Sequence, residues 1–335
     1  MKKLLVIILI CALIIIPQTG CGKEEQVSSE GFYLDTICNI TIYNIEKKKG
    51  EKLTKGALKV CDKYEKMMSK TVDGSDVDRI NKAGGKPVKV SRDTLDVIKL
   101  GLEMSRDSGG KFDITVGRIT DLWDFKSKNP KVPAADDIRA AVATVGYKQV
   151  KIKGNTVQLT NPETKIDLGA VAKGYIADRV TDYLKKNHVD QAIINLGGNV
   201  VAIGSKSKGT PWRVGIEKPF SGRSKIVGAT PATNEAVVTS GIYEREFKKN
   251  GRIYHHIIDP STGYPVDNDV VSDTIVARAG RAARCDGYST VCLLLGVDKG
   301  KKFIEKQKGF QALFIDRDNK ITKTKGMKFE KSEDN

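Results

Sequence analysis

No C-x-x-C pair occurs in this chain, and neither the dinucleotide fingerprint G-x-G-x-x-G nor the P-loop G-x-x-x-x-G-K-[ST] is present. The first absence argues against zinc and dithiol redox sites, and the second against the two commonest phosphate cradles. No proline-rich or glycine/serine-rich linker interrupts the body and no short repeat recurs, so one large domain is expected. Aromatic residues make up 6% of the chain and are seldom interleaved with the lysines. The net charge of +16 is therefore read as solvated lysine faces, such as Glu46-Lys47-Lys48-Lys49 and Lys299 to Lys302, and no nucleic-acid partner is expected.

The longest apolar run, Leu4 to Ile16, is too short to span a bilayer comfortably. It follows Lys2-Lys3 and precedes Pro17-Gln18-Thr19-Gly20-Cys21, the three-part layout of an export signal. With small residues directly before the cysteine and a polar stretch after it, this end resembles a bacterial lipoprotein signal. Gln18 stands where an aliphatic residue is usual. The resemblance implies residues 1–20 as signal peptide, Cys21 as the lipidated residue and 21–31 as a polar tether. The main domain would span 32–328, with 329–335 a charged tail and low complexity already from Lys323. The protein would then be exported and lipid-anchored on the outer face of the cytoplasmic membrane. Basic groups near an anionic bilayer would add about 1 kcal/mol each. The remaining cysteines, Cys38, Cys61, Cys285 and Cys292, lie in apolar contexts suited to free, buried thiols.

Polar and apolar residues alternate from Cys38 to Tyr43 as in a half-buried strand. Leu53, Ala57, Val60, Tyr64 and Met67 then recur at helical spacing, predicting a helix that ends near Met68. Further helices are expected after Ser91, from Ala135 to Val145, over Val171 to Leu184, over Asp286 to Leu295 and over Lys299 to Lys306. A hairpin is expected within Val150 to Ile166 around Gly154-Asn155, and strands over Ala192 to Asn195, Val200 to Ile203, Trp212 to Ile216 and Ala312 to Ile315. Helices and strands alternate too irregularly for a doubly wound sheet, so the class is α+β.

Ile166-Asp167-Leu168-Gly169-Ala170-Val171-Ala172-Lys173-Gly174-Tyr175 reads as a strand, a glycine/alanine-rich turn and a helix, the architecture of a phosphate site. Asn195-Leu196-Gly197-Gly198-Asn199 supplies a second glycine turn. Three further stretches carry candidate chemistry: Ser108-Gly109-Gly110-Lys111-Phe112-Asp113, then Ala236 to Gly241 with His255-His256-Ile257-Ile258-Asp259, then Asp286-Gly287-Tyr288-Ser289-Thr290. Asp286 and Thr290, spaced i and i+4, share one helix face and could ligate one hard cation. The same spacing allows Asp286 to cap the helix and Thr290 to bond back to a carbonyl.

In order and approximate spacing these motifs resemble the ApbE family of flavin transferases, from about Phe32 to Ile315. The resemblance implies a single α+β domain that transfers FMN from FAD, as substrate, to a threonine or serine hydroxyl of another protein, using Mg²⁺ and releasing AMP. It implies Asp286, Thr290 and the Ala170 carbonyl as metal ligands. It further implies Leu34, Lys111, Phe112, Asp113, Asp167, Lys173 and Ile258 in the FAD site, and His256 as the base. His255 is the weaker candidate and His188 a helix-end residue. Leu34-Asp35-Thr36 stands where the family often has Met-Gly-Thr, and Cys285-Asp286-Gly287 where Ala-Asp-Ala is common. Gly287 lowers helix propensity by up to about 1 kcal/mol relative to alanine, which predicts weaker metal binding. Partners implied are FAD, acceptor electron-transfer flavoproteins and the membrane through the lipid. Two other readings stay open: a metal-dependent FAD pyrophosphatase yielding FMN and AMP, and a lipid-tethered flavin-binding protein without turnover.

Overall fold

In the computed structural model, which describes residues 25–125, 127–221 and 225–332, the chain forms one α+β domain. The expected signal peptide and the lipidated Cys21 lie outside the described residues. Eight strands build one fully antiparallel sheet, and they follow one another across it in chain order: Glu25–Tyr33, Thr36–Ile45, Ala192–Leu196, Asn199–Ile203, Glu235–Gly241, Val270–Arg278, Phe310–Asp316 and Ile321–Lys323. Four helices lie side by side along the sheet in the same order: Lys47–Met68, Gly169–Lys186, Ala282–Leu295 and Val297–Glu305. Glu46 caps the first, accepting the amides of Lys48 and Lys49 at 2.9 Å, and its apolar face, including Leu53, Ala57, Cys61 and Tyr64, is buried. Gly50 leaves room for Val27 and Ile45, on which the helix rests.

The chain departs from the main sheet over 46–191, which contains the remaining longer helices, and again over 204–234, where Trp212–Glu217 and Ile226–Ala232 form a small sheet with Glu330–Lys331. Trp212 packs on Tyr43, ring centroids 4.7 Å apart, joining that sheet to the large one. A second, smaller core gathers Ile119, Trp123, Ile138, Ala141 and Ile258 under an aromatic cover of Phe125, Phe247, Tyr254 and Tyr264. Among the described residues no helix is long and apolar enough to cross a membrane, and Cys38, Cys61, Cys285 and Cys292 are free and buried.

Three sequence expectations need correction. Residues 25–31 of the expected tether are an edge strand paired with Thr36–Ile45, with Val27 buried. Backbone pairing at an edge asks little of the side chains, so a polar strand escapes a reading based on apolar pattern. Likewise the charged C-terminal stretch is folded through Lys331: Thr324 and Met327 are buried, and Glu330 and Lys331 pair with Ala229 and Gly228. Lastly, Ile166 to Leu168 is not a strand, and Gly169 and Ala170 are already the first turn of the helix.

Candidate active site

Helices Gly169–Lys186 and Ala282–Leu295 run antiparallel and are clamped at two points. The Gly174 amide donates to Asp286 Oδ2 at 2.9 Å, and the amides of Ala282 and Ala283 donate to Asp178 Oδ1 and Oδ2, each at 3.0 Å. Asp178 thus caps the second helix from outside its own chain segment, which has no side-chain cap of its own. Close approach requires Gly174, because an added Cβ would stand 2.2 Å from the Ala282 carbonyl oxygen. The clamp buries Asp286 to 1% exposure.

Lys173 Nζ lies 3.1 Å from Asp286 Oδ1, so this buried carboxylate carries an ammonium on one oxygen and an amide on the other. Asp286 is the fifth residue of its helix and caps nothing. In a regular helix the Gly174 amide faces the carbonyl four residues back, that of Ala170. Thr290 follows one turn later, half-buried. Among the described residues no three His, Cys, Asp or Glu side chains converge as a metal cage. A cation here would rest on one carboxylate, a hydroxyl and a carbonyl. That all-oxygen set with few protein ligands fits a hard ion such as Mg²⁺, which keeps positions for water and phosphate.

The turn into the first helix is held from outside. Asp167 Oδ1 accepts the Gly169 amide at 2.9 Å, Thr120 Oγ1 donates to its Oδ2 at 2.9 Å, and Lys70 Nζ stands 3.1 Å away. Burial works against the ionised form, but the Lys70 charge and these hydrogen bonds hold the Asp167 carboxyl below its usual range. The first-turn amides are engaged within the protein: Gly169 with Asp167, and Val171 and Ala172 with the Leu168 carbonyl.

His256 follows the hairpin Glu246–Lys249 and Arg252–His255, which rests on the aromatic cover of the small core. Its amide donates to the Arg245 carbonyl at 3.1 Å, and its Nδ1 is buried without a partner. Burial pushes its pKa down to about 3, and the charges of Arg245, His255 and Lys173 press the same way. The imidazole is therefore neutral, and Lys173 is near both it and Asp286. His255 is held differently, with Nε2 3.1 Å from the Val266 carbonyl, and burial lowers it to about 4.

Of the remaining predicted residues, Lys111 is paired with Asp259, 3.0 Å away, at the turn that follows Ile258. The Asp113 carboxylate is occupied by the amides of Thr115 and Tyr147, both at 2.8 Å, and pins the 113–147 junction. Phe112 and Ile258 are buried side chains of the large and small cores, so Ile258 can offer a ligand only its backbone. Leu34 adopts φ 56° and Asp35 φ 59°, a tight turn at the sheet end, where the Leu34 amide donates to Glu65 Oε1 at 2.8 Å. The neighbouring glycine turn meets it directly, since a Cβ on Gly197 would fall 2.3 Å from Thr36 Oγ1. His188 has φ 58° and ends its helix. An open depression of about 480 Å³ on helix Val297–Glu305, with Lys299, Lys302 and Lys306 in its lining, contains none of these residues.

Sequence reasoning missed Asp178, Lys70, Glu65 and Arg245. Asp178 had a signal, for it sits on the helix face of Val171, Gly174 and Thr181, all buried. An acid on an otherwise apolar face calls for a partner. Lys70 and Glu65 reach across the fold and had none.

A buried carboxylate paired with a lysine, and a neutral imidazole within reach of the same lysine, are the equipment of a group-transfer enzyme. The chain belongs to the ApbE family, whose model matches residues 34–314. It is 36% identical over 274 residues to an FAD:protein FMN transferase of Klebsiella pneumoniae (strain 342), covering 81% of this chain and 84% of that one. It is 30% identical over 328 residues to the FAD:protein FMN transferase of Treponema pallidum (strain Nichols), covering 92% and 89%. Among solved structures, the ApbE protein of Thermotoga maritima MSB8 superposes with a TM-score of 0.81 at 30% identity, covering 90% of this chain and 97% of that one. The flavin transferase ApbE of Vibrio cholerae does so at 0.78 and 29%, covering 90% and 96%.

Proposed function

We propose that this protein transfers FMN from FAD to a threonine or serine hydroxyl of an acceptor protein, releases AMP, and requires Mg²⁺. The observation that carries the reading is the buried Asp286 carboxylate, clamped by Gly174 and paired with Lys173, whose charge also acts on the neutral imidazole of His256.

The acceptor hydroxyl is too weakly acidic to attack unaided, and His256 is the group available to take its proton. A pKa of about 3 makes the free ring a weak base. The pyrophosphate of FAD brings negative charge against the positive field of Arg245 and Lys173, and so raises the imidazole toward the working range. The hydroxyl oxygen bonds to the phosphorus on the FMN side, the bond from that phosphorus to the bridging oxygen breaks, and AMP leaves with that oxygen. Lys173 binds the phosphates and holds them in line. When bound, Mg²⁺ would rest on Asp286, Thr290 and the Ala170 carbonyl and neutralise the charge that develops on the phosphate oxygens.

The lipid anchor belongs to the same proposal. Only residues 22–24 separate Cys21 from the strand Glu25–Tyr33, and extended chain covers at most about 3.6 Å per residue. A lipid on Cys21 would hold the domain against the outer membrane face, within reach of membrane-bound acceptors. Cys21→Ser should move the protein from the membrane to the soluble fraction, and an unchanged distribution overturns the anchor.

The transfer itself is tested by incubating the chain with FAD, Mg²⁺ and an acceptor carrying a flavinylation threonine, then reading intact mass and AMP. An FMN-sized gain on the acceptor, abolished by EDTA and by Asp286→Ala, is expected. Free FMN and AMP without an adduct would instead identify a pyrophosphatase, and FAD recovered intact a binding protein.

A further inference from the structure

The two oxygens of Asp286 are held by groups of different kinds. The Gly174 amide on Oδ2 is fixed by the helix backbone. The ammonium on Oδ1 sits at the end of a flexible stem, with the Lys173 side chain 24% exposed against 1% for the carboxylate. A carboxylate this deeply buried needs a cation beside it, and in the protein without metal Lys173 provides it. An ion on the same oxygen would stand within a few ångströms of that ammonium, where two positive charges in a poorly screened site repel strongly.

We infer that a divalent cation binds Asp286 Oδ1 by displacing Lys173, and that the released ammonium turns to the phosphates of the dinucleotide. The inference rests on the flavin-transfer reading above and adds an order of events to it. Before the metal arrives, Lys173 is held by the carboxylate and unavailable to phosphate. Once the metal is bound, the lysine is free and the anionic subsite is complete, so metal and FAD bind with positive coupling. Oδ2 stays on Gly174 throughout, which keeps the carboxylate oriented while its partner changes.

The test measures metal affinity rather than turnover. The full chain is stripped of metal and titrated with MgCl₂ alone by calorimetry, as wild type, Lys173→Met and Asp286→Asn. Removing the resident ammonium leaves the carboxylate without its competitor, so K173M should bind Mg²⁺ about tenfold tighter than wild type or more, and D286N should not bind. Mg²⁺ should raise the affinity for FAD, read by flavin fluorescence, in wild type and much less in K173M. Equal or weaker Mg²⁺ binding by K173M that still melts cooperatively overturns the exchange. Failure of wild type to bind Mg²⁺ removes the cation reading itself, a separate result. Should K173M not fold, ¹⁵N-lysine spectra of the wild type decide. The Lys173 ammonium signal, protected from exchange in the stripped protein, should lose that protection on adding Mg²⁺, and an unchanged signal overturns the proposal.

Discussion

Met104 fills the space that Gly287 leaves by having no side chain: a Cβ built on Gly287 would meet the Met104 sulfur at 2.0 Å and its methyl at 2.6 Å. Met104 lies on helix Arg92–Asp107 and is fully buried. The glycine next to the candidate metal ligand is thus the complement of a methionine rather than a simple weakness in the helix. The departure from Ala-Asp-Ala that suggested weaker metal binding has a packing cause. Gly287→Ala should destabilise the fold by about 1–3 kcal/mol despite its gain in helix propensity. Trimming the partner, as Met104→Ala in the Gly287→Ala background, should recover part of that loss. Chemical denaturation of the four chains of this double-mutant cycle gives the coupling, expected at about 0.5–3 kcal/mol. Additive effects would mean that the two residues do not share the space.

The other glycine contact tests the helix clamp. Gly174→Ala would force the backbones of the two helices apart at Ala282, and no flexible side chain is available to yield. The loss should exceed that of Gly287→Ala, and it should remove Mg²⁺ binding as well, because the Gly174 amide would leave Asp286. Asp178→Ala should lower stability by about 2 kcal/mol through the lost cap while leaving Mg²⁺ binding measurable, since Asp178 touches only the far end of the clamp. Calorimetric Mg²⁺ titration alongside thermal melting separates the two outcomes.

Those contacts mark where the sequence stopped being legible. The long helices were readable because each buries one periodic face, and Ser91 announced itself as an N-cap that accepts the Thr94 amide. The site helices and Asp286 were found through motif order. What escaped was whatever depends on elements distant in the chain. The strands Glu235–Gly241 and Val270–Arg278 are central in the sheet, and the second is buried at all but its last residue, so neither shows the alternation expected of a half-exposed strand. Residues 25–31 look like a tether in the sequence because their backbone, not their side chains, joins the sheet. Lys70 and Glu65 act across gaps that no local pattern records.

Asp273 offers a pH test independent of the catalytic reading. It is fully buried on strand Val270–Arg278, Ser289 Oγ donates to its Oδ1, and its Oδ2 has no partner. Burial holds its pKa well above the ordinary carboxylate value, against the lesser effect of the Ser289 hydrogen bond. The folded state therefore keeps the proton while the unfolded chain gives it up near the ordinary value. Its contribution to stability is complete below about pH 4 and falls as pH rises toward the folded pKa. Asp273→Asn keeps an acceptor for Ser289 and removes the ionisation. The variant should be more stable than wild type by about 1–3 kcal/mol near neutral pH, and the gap should close in acid. Denaturation curves at several pH values check this, and a wild type that is the more stable at neutral pH would contradict it.

His256 and His255 push stability the opposite way, and this separates them from Asp273. Both are held neutral in the fold, at about 3 and about 4, while the unfolded chain takes up protons near the ordinary histidine value of about 6.5. The contribution is present above that value and is lost as pH falls from there toward the folded pKa values. Carbon-13 shifts of the two imidazole Cε1 groups should stay flat between pH 8 and pH 5 in the free protein. Adding FAD with Mg²⁺ should move the His256 midpoint upward and leave His255 nearly unchanged, because only His256 is argued to face the pyrophosphate. His256→Asn should cut FMN transfer by about 10² to 10⁴ with FAD binding retained. A His256 that titrates near 6.5 in the free protein would show the ring to be exposed to water, and the case for it as a base shaped by this site would fall.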